Sequence, residues 1–340
     1  MSDHAPPAVS ISIITYNQRD LVGRAIDSAL MQRTDFPFEI VIGDDCSSDG
    51  TQEVLREYAR RYPDKIHLIL HPRRYRGEVP GRTNNTTNLL NCRGRYTAML
   101  DGDDYWTDPD KLQRQYDLME AEPDLSMCLH DARMDYANPA DPGEDRMEFM
   151  SDQLGGCATG RYTHEDLAIR NRLNPFIGSI MYRTAQLRDL PDWFYSIVAA
   201  DYALMLHLSR NGPVYYDARP AAAYYISPQG FQRVFRKNPT ILLQELRDFD
   251  TYAEHFPATR LSRKAKRRRA HLHWHLSQHY RETEAWGRAL HHLVHLFRTD
   301  ARFGLSMIFN PARRARAYLG GRPSPSRASK SEENSAAIRS

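Results

Sequence analysis

Short apolar runs alternate with amphipathic stretches through the first 228 residues. Val9 to Ile14 is a β-branched run that ends in Thr15, Tyr16 and Asn17, after which Leu21, Ala25, Ser28 and Ala29 recur at helical spacing. Phe38 to Ile42 predicts a second strand, followed by Gly43-Asp44-Asp45, a polar turn through Gly50 and a helix to about Tyr62. Ile66 to Leu70 is a third strand and Thr83 to Leu90 a third helix. Tyr96 to Leu100 is a fourth strand that runs into Asp101-Gly102-Asp103-Asp104. Successive β-α units of this length predict an α/β fold, a mostly parallel sheet flanked by helices. Ligands of such sheets bind beyond the carboxyl ends of the strands, and the polar clusters at Thr15, Asp44 and Asp101 all stand at that edge.

The next helix is expected to be capped by Asp108, with Pro109 at its first position and Leu112, Tyr116 and Met119 on one face. Leu125 to Leu129 predicts a fifth strand, and Asp131 to Arg161 a long surface excursion that shapes an acceptor site. Thr163 is placed to cap a short helix. Phe176 to Tyr182 is strand-like, Asp201 to Arg210 helical, and Val214 to Tyr216 and Ala221 to Ile226 read as edge strands. Beyond Pro228 the pattern turns helical: Thr240 to His255, Lys264 to His279 and Glu282 to Arg298, with a basic amphipathic piece at Asn310 to Leu319. Trp274 and Trp286 are expected inside that helical core. The resulting division is a flexible N-terminus (1–8), a front α/β domain (9–228), a small basic helical C-terminal domain (229–319) and a disordered tail (320–340) rich in Ser, Pro, Arg, Lys and Glu.

Charge changes the picture more than composition does. The chain is nearly neutral, 46 Lys or Arg against 43 Asp or Glu, yet from Gln229 onward 22 basic residues face only 9 acidic ones. The front half is acidic and the rear half basic, so the rear is expected to meet an anionic partner: a membrane surface, an acidic polymer or the front half itself. Arg260, Arg263, Lys264, Lys266, Arg267, Arg268 and Arg269 form one cluster, and Arg313, Arg314 and Arg316 another. The four cysteines Cys46, Cys92, Cys128 and Cys157 make no C-x-x-C pair and read as free thiols in a reducing compartment. Met1 to Ala8 lacks a secretory pattern and no apolar run reaches about 20 residues. The expected location is cytoplasmic, with peripheral contact at the inner face of the membrane as an option.

The candidate chemistry rests on carboxylates at strand ends. No dinucleotide, phosphate-loop, zinc or nucleophile-elbow signature is present. Asp101, Asp103 and Asp104 fall within four residues, and their mutual repulsion calls for a cation; an all-oxygen set suits Mn²⁺ or Mg²⁺ bridged to a substrate phosphate. An acidic turn that caps the next element is the plainer alternative. Asp44 and Asp45 can accept hydrogen bonds from a base or ribose, or simply cap their turn. Thr15, Tyr16 and Asn17 stand as the opposite wall of that pocket, with helix capping as the competing role for Asn17. Arg73, Arg74, Arg76 and Arg82 precede the third helix, where each either faces a diphosphate or is solvated.

At this point three motifs, in order, carry a resemblance. VSISIITYN from Val9, EIVIGDDCSSDGT from Glu39 and YTAMLDGDDYW from Tyr96 resemble the nucleotide-binding motifs of bacterial family 2 glycosyltransferases, and TDPDKLQRQ from Thr107 fits one subgroup. The strong resemblance covers about residues 9 to 130 and a weaker one extends to Ile226. It implies a GT-A fold, a nucleotide-sugar donor (UDP-, GDP- or dTDP-), a divalent metal and inverting transfer, in polysaccharide biosynthesis at the cell envelope. It puts Thr15 and Asp45 in the nucleoside pocket with Asp44 nearby, Asp103 and Asp101 on the metal, Gly102 between them and Asp104 on metal or donor sugar. The family's base falls at Ala199-Ala200-Asp201-Tyr202, so Asp201 is the candidate, without the Glu that usually precedes it. A helix cap is its competing role. No His follows the last strand to complete a metal shell, and no Q-x-x-R-W is present, so transfer of a single sugar to a glycan or lipid-linked hydroxyl is expected. A nucleotidyltransferase acting on sugar phosphates and a non-enzymatic anion-binding protein are the alternatives. Nucleic-acid binding lacks any supporting motif, and oligomerisation is left open.

Overall fold

The computed structural model describes residues 6–74, 81–137, 148–154, 156–170, 173, 176–188, 190–198, 200–226 and 238–309. Arg76, the amphipathic piece at 310–319 with its arginine cluster, and the tail from residue 320 lie outside the described residues.

The front of the chain runs β1 (Val9–Thr15), α1 (Arg19–Leu30), β2 (Phe38–Asp44), α2 (Thr51–Arg61), β3 (Ile66–Leu70), α3 (Arg82–Leu90), β4 (Tyr96–Asp101), β5 (Tyr105–Trp106), α4 (Lys111–Ala121) and β6 (Met127–Tyr136). It continues through β7 (Gly160–Tyr162), α5 (His164–Ala168), β8 (Met181–Arg183), α6 (Ala200–Leu208) and β9 (Val214–Ile226). The nine strands form one sheet in the order β3-β2-β1-β4-β8-β6-β9-β5, with β7 paired to β9. Strands β3, β2, β1 and β4 are mutually parallel, β8 runs antiparallel between β4 and β6, and β6 and β9 are parallel again.

Alternation along the strands distributes side chains between two layers. Val9, Ile11 and Ile13 of β1 pack with Val22, Ile26, Leu55 and Leu112 from α1, α2 and α4, and each is buried. Met99, Met127 and Leu129 face the other way, toward Leu89 of α3 and the apolar α6. Because helices cover both faces, the strands read as nearly continuous apolar runs rather than as alternating ones. The polar exceptions are bonded: Asn88 of α3 donates its amide to Ser12 Oγ, Ile13 O and Val41 O at 2.7–3.2 Å. That clamp holds α3 low over β1 and β2 and so positions its N-terminus at the strand ends.

Several elements depart from the sequence expectation. The helix expected from Pro109 begins at Lys111, because Asp108 spends its carboxylate on Asp110 N (2.9 Å) and Arg114 (2.8 Å) instead of a cap. The fifth strand does not stop at Leu129: it runs to Tyr136 alongside β9, with a register shift around Asp131. The supposed edge strands at Val214 and Ala221 are one strand lying between β6 and β5, since that long pairing carries them through Pro220. Only Met181 and Tyr182 of the Phe176–Tyr182 stretch are strand, with Ile177–Ser179 wound as a 3₁₀ turn. Thr163 caps α5 as expected, in a reciprocal capping box with Asp166.

Behind the sheet lie α7 (Pro239–His255), α8 (Arg263–Glu282) and α9 (Trp286–Phe309), capped by Asn238 and Ser262 at the first two. The last helix starts later than expected and extends through a bend at Asp300. Leu242, Leu246, Leu272, Leu276 and Ala289 join the three helices. Trp274 is buried there, but Trp286 is 64% exposed and does not pack the helical core. The four cysteines form no disulfide among the described residues, and no helix among the described residues is long and apolar enough to cross a membrane.

Candidate functional site

The turn after β4 gathers the carboxylates. One oxygen each from Asp101, Asp103 and Asp104 lies within 4.8 Å of the others. Gly102 makes this possible: its N–H donates to Ile14 O at 2.9 Å, and a Cβ there would sit 2.9 Å from Thr15 Cβ and 2.5 Å from Gln18 Oε1. The turn is therefore pressed against the end of β1. Burial is the largest influence on all three carboxyls and raises each, well above the usual range for Asp101 and Asp104, with the neighbouring aspartates adding to it there. Like charges packed in a poorly solvated turn favour protonation unless a cation offsets them.

The surroundings support an ion rather than a self-satisfied turn. Asp104 is fully buried; its Oδ1 accepts Tyr225 N at 2.8 Å while Oδ2 has no donor among the described residues. Arg24 of α1 approaches Asp103 only through the backbone carbonyl (3.3 Å), since its guanidinium stacks 4.0 Å over Tyr105 and pairs with Asp135 at 3.2 Å. An all-oxygen donor set with an orphaned buried oxygen fits a hard divalent cation such as Mn²⁺ or Mg²⁺.

The two aspartates after β2 divide their work. Asp44 accepts Ser47 N at 2.9 Å, the Ser47 hydroxyl and Gln52 Nε2 at 2.7 Å, so it is consumed in building the loop. Asp45 is also buried, yet neither of its oxygens has a hydrogen-bond donor among the described residues; Arg74 Nε stands 3.5 Å away. Burial raises the Asp45 carboxyl, opposed by Arg74 and His71. Arg74 also covers Tyr16, 3.9 Å above its ring and 3.0 Å from its hydroxyl. Asn17 does not cap α1. It adopts the left-handed region (φ 50°) and ties two loops together, its N–H to Ser47 Oγ at 2.8 Å and its Oδ1 from Ser48 N at 3.0 Å. Thr15 donates to Gln18 Oε1 at 2.7 Å, on the inner side of the same loop pair.

Asp201, in the first turn of α6, comes to the same edge from the opposite layer. Its charge is among those that raise Asp101, which puts the two carboxyls within electrostatic reach. Burial raises Asp201 itself; its Oδ1 accepts Tyr202 N at 2.8 Å, and Arg82 and Lys264 oppose the shift. Arg82 is 91% buried beneath Phe194, with no hydrogen-bond partner for Nε or Nη1 among the described residues. Burial depresses its guanidinium, and Tyr252, Asp248 and Asp201 hold it up. The structure thus groups Arg82 with Asp201 rather than with Asp45. Gln18, Arg24, Asp248 and Tyr225 also border the candidate site although no local pattern marks them, and Lys264, read in the sequence only as part of a basic cluster, acts on Asp201.

Residues 10–172 match the family model described as Glycosyl transferase family 2. An uncharacterized protein of Mycobacterium tuberculosis is 38% identical over 136 residues, 40% of this chain and 38% of that one. The Escherichia coli UDP-Glc:alpha-D-GlcNAc-diphosphoundecaprenol beta-1,3-glucosyltransferase WfaP is 34% identical over 114 residues, 34% of this chain and 42% of its own. The chain therefore aligns with less than half the length of these curated relatives. Among solved structures, the mannosyltransferase PcManGT of Pyrobaculum calidifontis, in complex with GDP-Man and Mn²⁺, superposes with a TM-score of 0.55 at 17% identity, over 94% of this chain and 87% of that one. That likeness is one of fold, the GT-A arrangement of sheet and helices.

Proposed function

This chain belongs, through residues 10–172, to glycosyl transferase family 2, and we propose from that premise that it transfers a single sugar, with inversion, from a nucleotide-sugar donor to a hydroxyl. The observation that carries the reading is the meeting of two layers at one strand edge: the Asp101–Asp103–Asp104 cluster on one side, Asp201 with the unpaired Arg82 on the other.

In this reading Asp45 and Thr15 receive the nucleoside, Asp45 being the carboxylate of the pair whose oxygens accept no hydrogen bond among the described residues. Asp103 and Asp101 would hold Mn²⁺ or Mg²⁺, with Asp104 beside them; the bound ion supplies positive charge next to the donor diphosphate. Asp201 takes the proton of the acceptor hydroxyl as the new carbon–oxygen bond forms on the face opposite the nucleotide, and the bond from the anomeric carbon to the diphosphate breaks. A carboxyl raised by burial is a stronger proton acceptor than an exposed one, which suits that task. Arg82 offers two undirected donors to negative charge on donor or acceptor. UDP-, GDP- and dTDP-sugars are the donor classes to test, and glycan or lipid-linked hydroxyls the acceptors, the lipid-linked class having a precedent in the printed activity of the E. coli relative.

Replacing Asp201 with Asn keeps the shape and removes the base. Transfer should fall by about 10²–10⁴-fold, while the Kd for the nucleotide sugar, measured calorimetrically with Mn²⁺, stays within about twofold. An equal loss of donor affinity would remove Asp201 from the role of base. Release of pyrophosphate from a nucleoside triphosphate, in place of nucleoside diphosphate from a sugar donor, would identify a nucleotidyltransferase instead.

A further inference from the structure

Helix α9 carries more apolar surface than the fold covers. At about 100° per residue, Ala289, His292 and Leu296 form the arc buried against α8. Trp286, Leu290 and Val294, spaced at i, i+4 and i+8, form the adjoining arc, and they are 64%, 61% and 40% exposed. Together the two arcs span roughly 200°, about twice the stripe a one-sided helix needs. Leu305, Ile308 and Phe309 continue the exposed apolar surface past the bend, and seven of the ten exposed large apolar side chains among the described residues lie between Leu261 and Phe309. Such concentration on one part of a molecule marks a contact surface.

The charges on the two rear helices are mostly of one sign, although Arg267, Arg268 and Arg269 are ion-paired with Asp300, Glu245 and Asp250. Helices α8 and α9 hold ten Lys or Arg against two Asp or Glu. Arg298 follows Val294 in the same i+4 row and opens onto a cavity of about 310 Å³ shared with Arg260, Lys266, Arg269, Thr259 and Thr299. No carboxylate lines it, although Arg269 reaches Asp250 at 2.8 Å from one side. An apolar row that runs into a cationic pocket suits a surface that is greasy beneath and anionic at its rim.

We propose that the exposed face of α9 docks onto an anionic phospholipid surface, with Trp286, Leu290 and Val294 in the interfacial layer and the Arg298 pocket among the headgroup phosphates. A second copy of the chain would bring one predominantly basic surface against another, whereas an anionic bilayer complements the unpaired cations. The contact is interfacial, because no described helix can span a bilayer. It stands apart from the transfer reaction and does not depend on it.

The full chain, sedimented with phosphatidylcholine vesicles with and without phosphatidylglycerol, tests this. The protein should pellet only with the anionic vesicles, lose most of that binding at high salt, and show a blue shift of tryptophan emission on binding. The double variant Trp286→Glu, Leu290→Glu changes only exposed positions, so its circular dichroism and melting temperature should match the parent while its partitioning drops about tenfold or more. Wild-type protein that stays in the supernatant with anionic vesicles at low salt overturns the proposal, as does a double variant that pellets equally well. So does a concentration-dependent dimer that the variant abolishes while vesicles are ignored, which would make the second copy the occupant.

Discussion

Substituting Gly102 by Ala tests how closely the acidic turn must approach β1. The added Cβ meets Thr15 Cβ at 2.9 Å, Thr15 Oγ1 at 3.0 Å and Gln18 Oε1 at 2.5 Å. Carbon atoms prefer about 3.5–4.0 Å, so the turn and the strand end must part by roughly 0.5–1 Å. Gln18 can swing away, but its Oε1 holds the Thr15 hydroxyl at 2.7 Å, and losing that bond costs about 1 kcal/mol. Thr15 Cβ is one bond from the backbone of a paired strand and cannot swing; overpacking of this kind costs about 1–3 kcal/mol. Reduced freedom of the unfolded chain offsets about 0.4–1 kcal/mol. A net loss of about 2 kcal/mol follows, read as a fall of roughly 4–8 °C in melting temperature. The separation also spreads Asp101 and Asp103, so the rise in melting temperature on adding Mn²⁺ should shrink. Gly23→Ala serves as the control: in α1 its new Cβ lies 3.5 Å from Tyr58 Oη, an ordinary contact, and the variant should gain about 0.5–1 kcal/mol. The reasoning is refuted if Gly102→Ala melts within a degree of the parent and keeps the full Mn²⁺ shift.

Two buried groups give pH dependences of opposite sign. Burial lifts Asp248 to about 6, against the hydrogen bonds from Val198 N and Gln244. The folded state then binds more protons than the unfolded one between pH ~4 and ~6, so this group makes stability fall as pH rises through that window. Asp248→Asn should flatten the slope, as measured by denaturant titration at pH ~4.5 and ~8, whatever it loses by turning one of the two acceptor oxygens into a donor; an unchanged slope would contradict this. Burial lowers Lys111 to about 7, and its Nζ sits 3.6 Å from the centre of the Trp106 ring without a hydrogen-bond partner among the described residues. Here the unfolded state binds the extra proton, so stability attributable to Lys111 rises between pH ~7 and ~10. Lys111→Met should remove that rise and stabilise the protein near pH 7 by about 2–4 kcal/mol, detectable by comparing melts at the two ends of the window; a variant that is less stable than the parent at neutral pH would refute it.

The parallel core of the fold was legible because its causes are local. Runs such as Val9–Ile14 and Tyr96–Leu100 are β-branched or apolar and end in polar turns, and the helices between them repeat at their own period. The same locality exposed the acidic turn at Asp101 and the loop at Asp44, since both directly follow a strand. Which aspartate of a pair is left free was not local. Asp44 and Asp45 are equivalent as sequence, and only the fold of the loop hands Ser47 and Gln52 to one and leaves the other with the Arg74 ion pair and no hydrogen-bond donor among the described residues. The edge strands that became one inner strand, and the fifth strand that outran its apolar stretch, were settled by pairing partners some 85 residues apart.

What the sequence by itself determined, then, is the alternation of strand and helix and the carboxylates at the strand ends, because hydrophobic period and turn chemistry act between near neighbours. Tertiary structure alone decided that Asp201 adds its charge to the surroundings of Asp101, that Arg82 lies buried beneath Phe194 with Nε and Nη1 lacking partners among the described residues, and that Trp286 points outward. Those outcomes depend on how helices from distant parts of the chain cover the sheet and one another. Burial and electrostatic environment are properties of the assembled surface, and a residue's neighbours in sequence do not carry them.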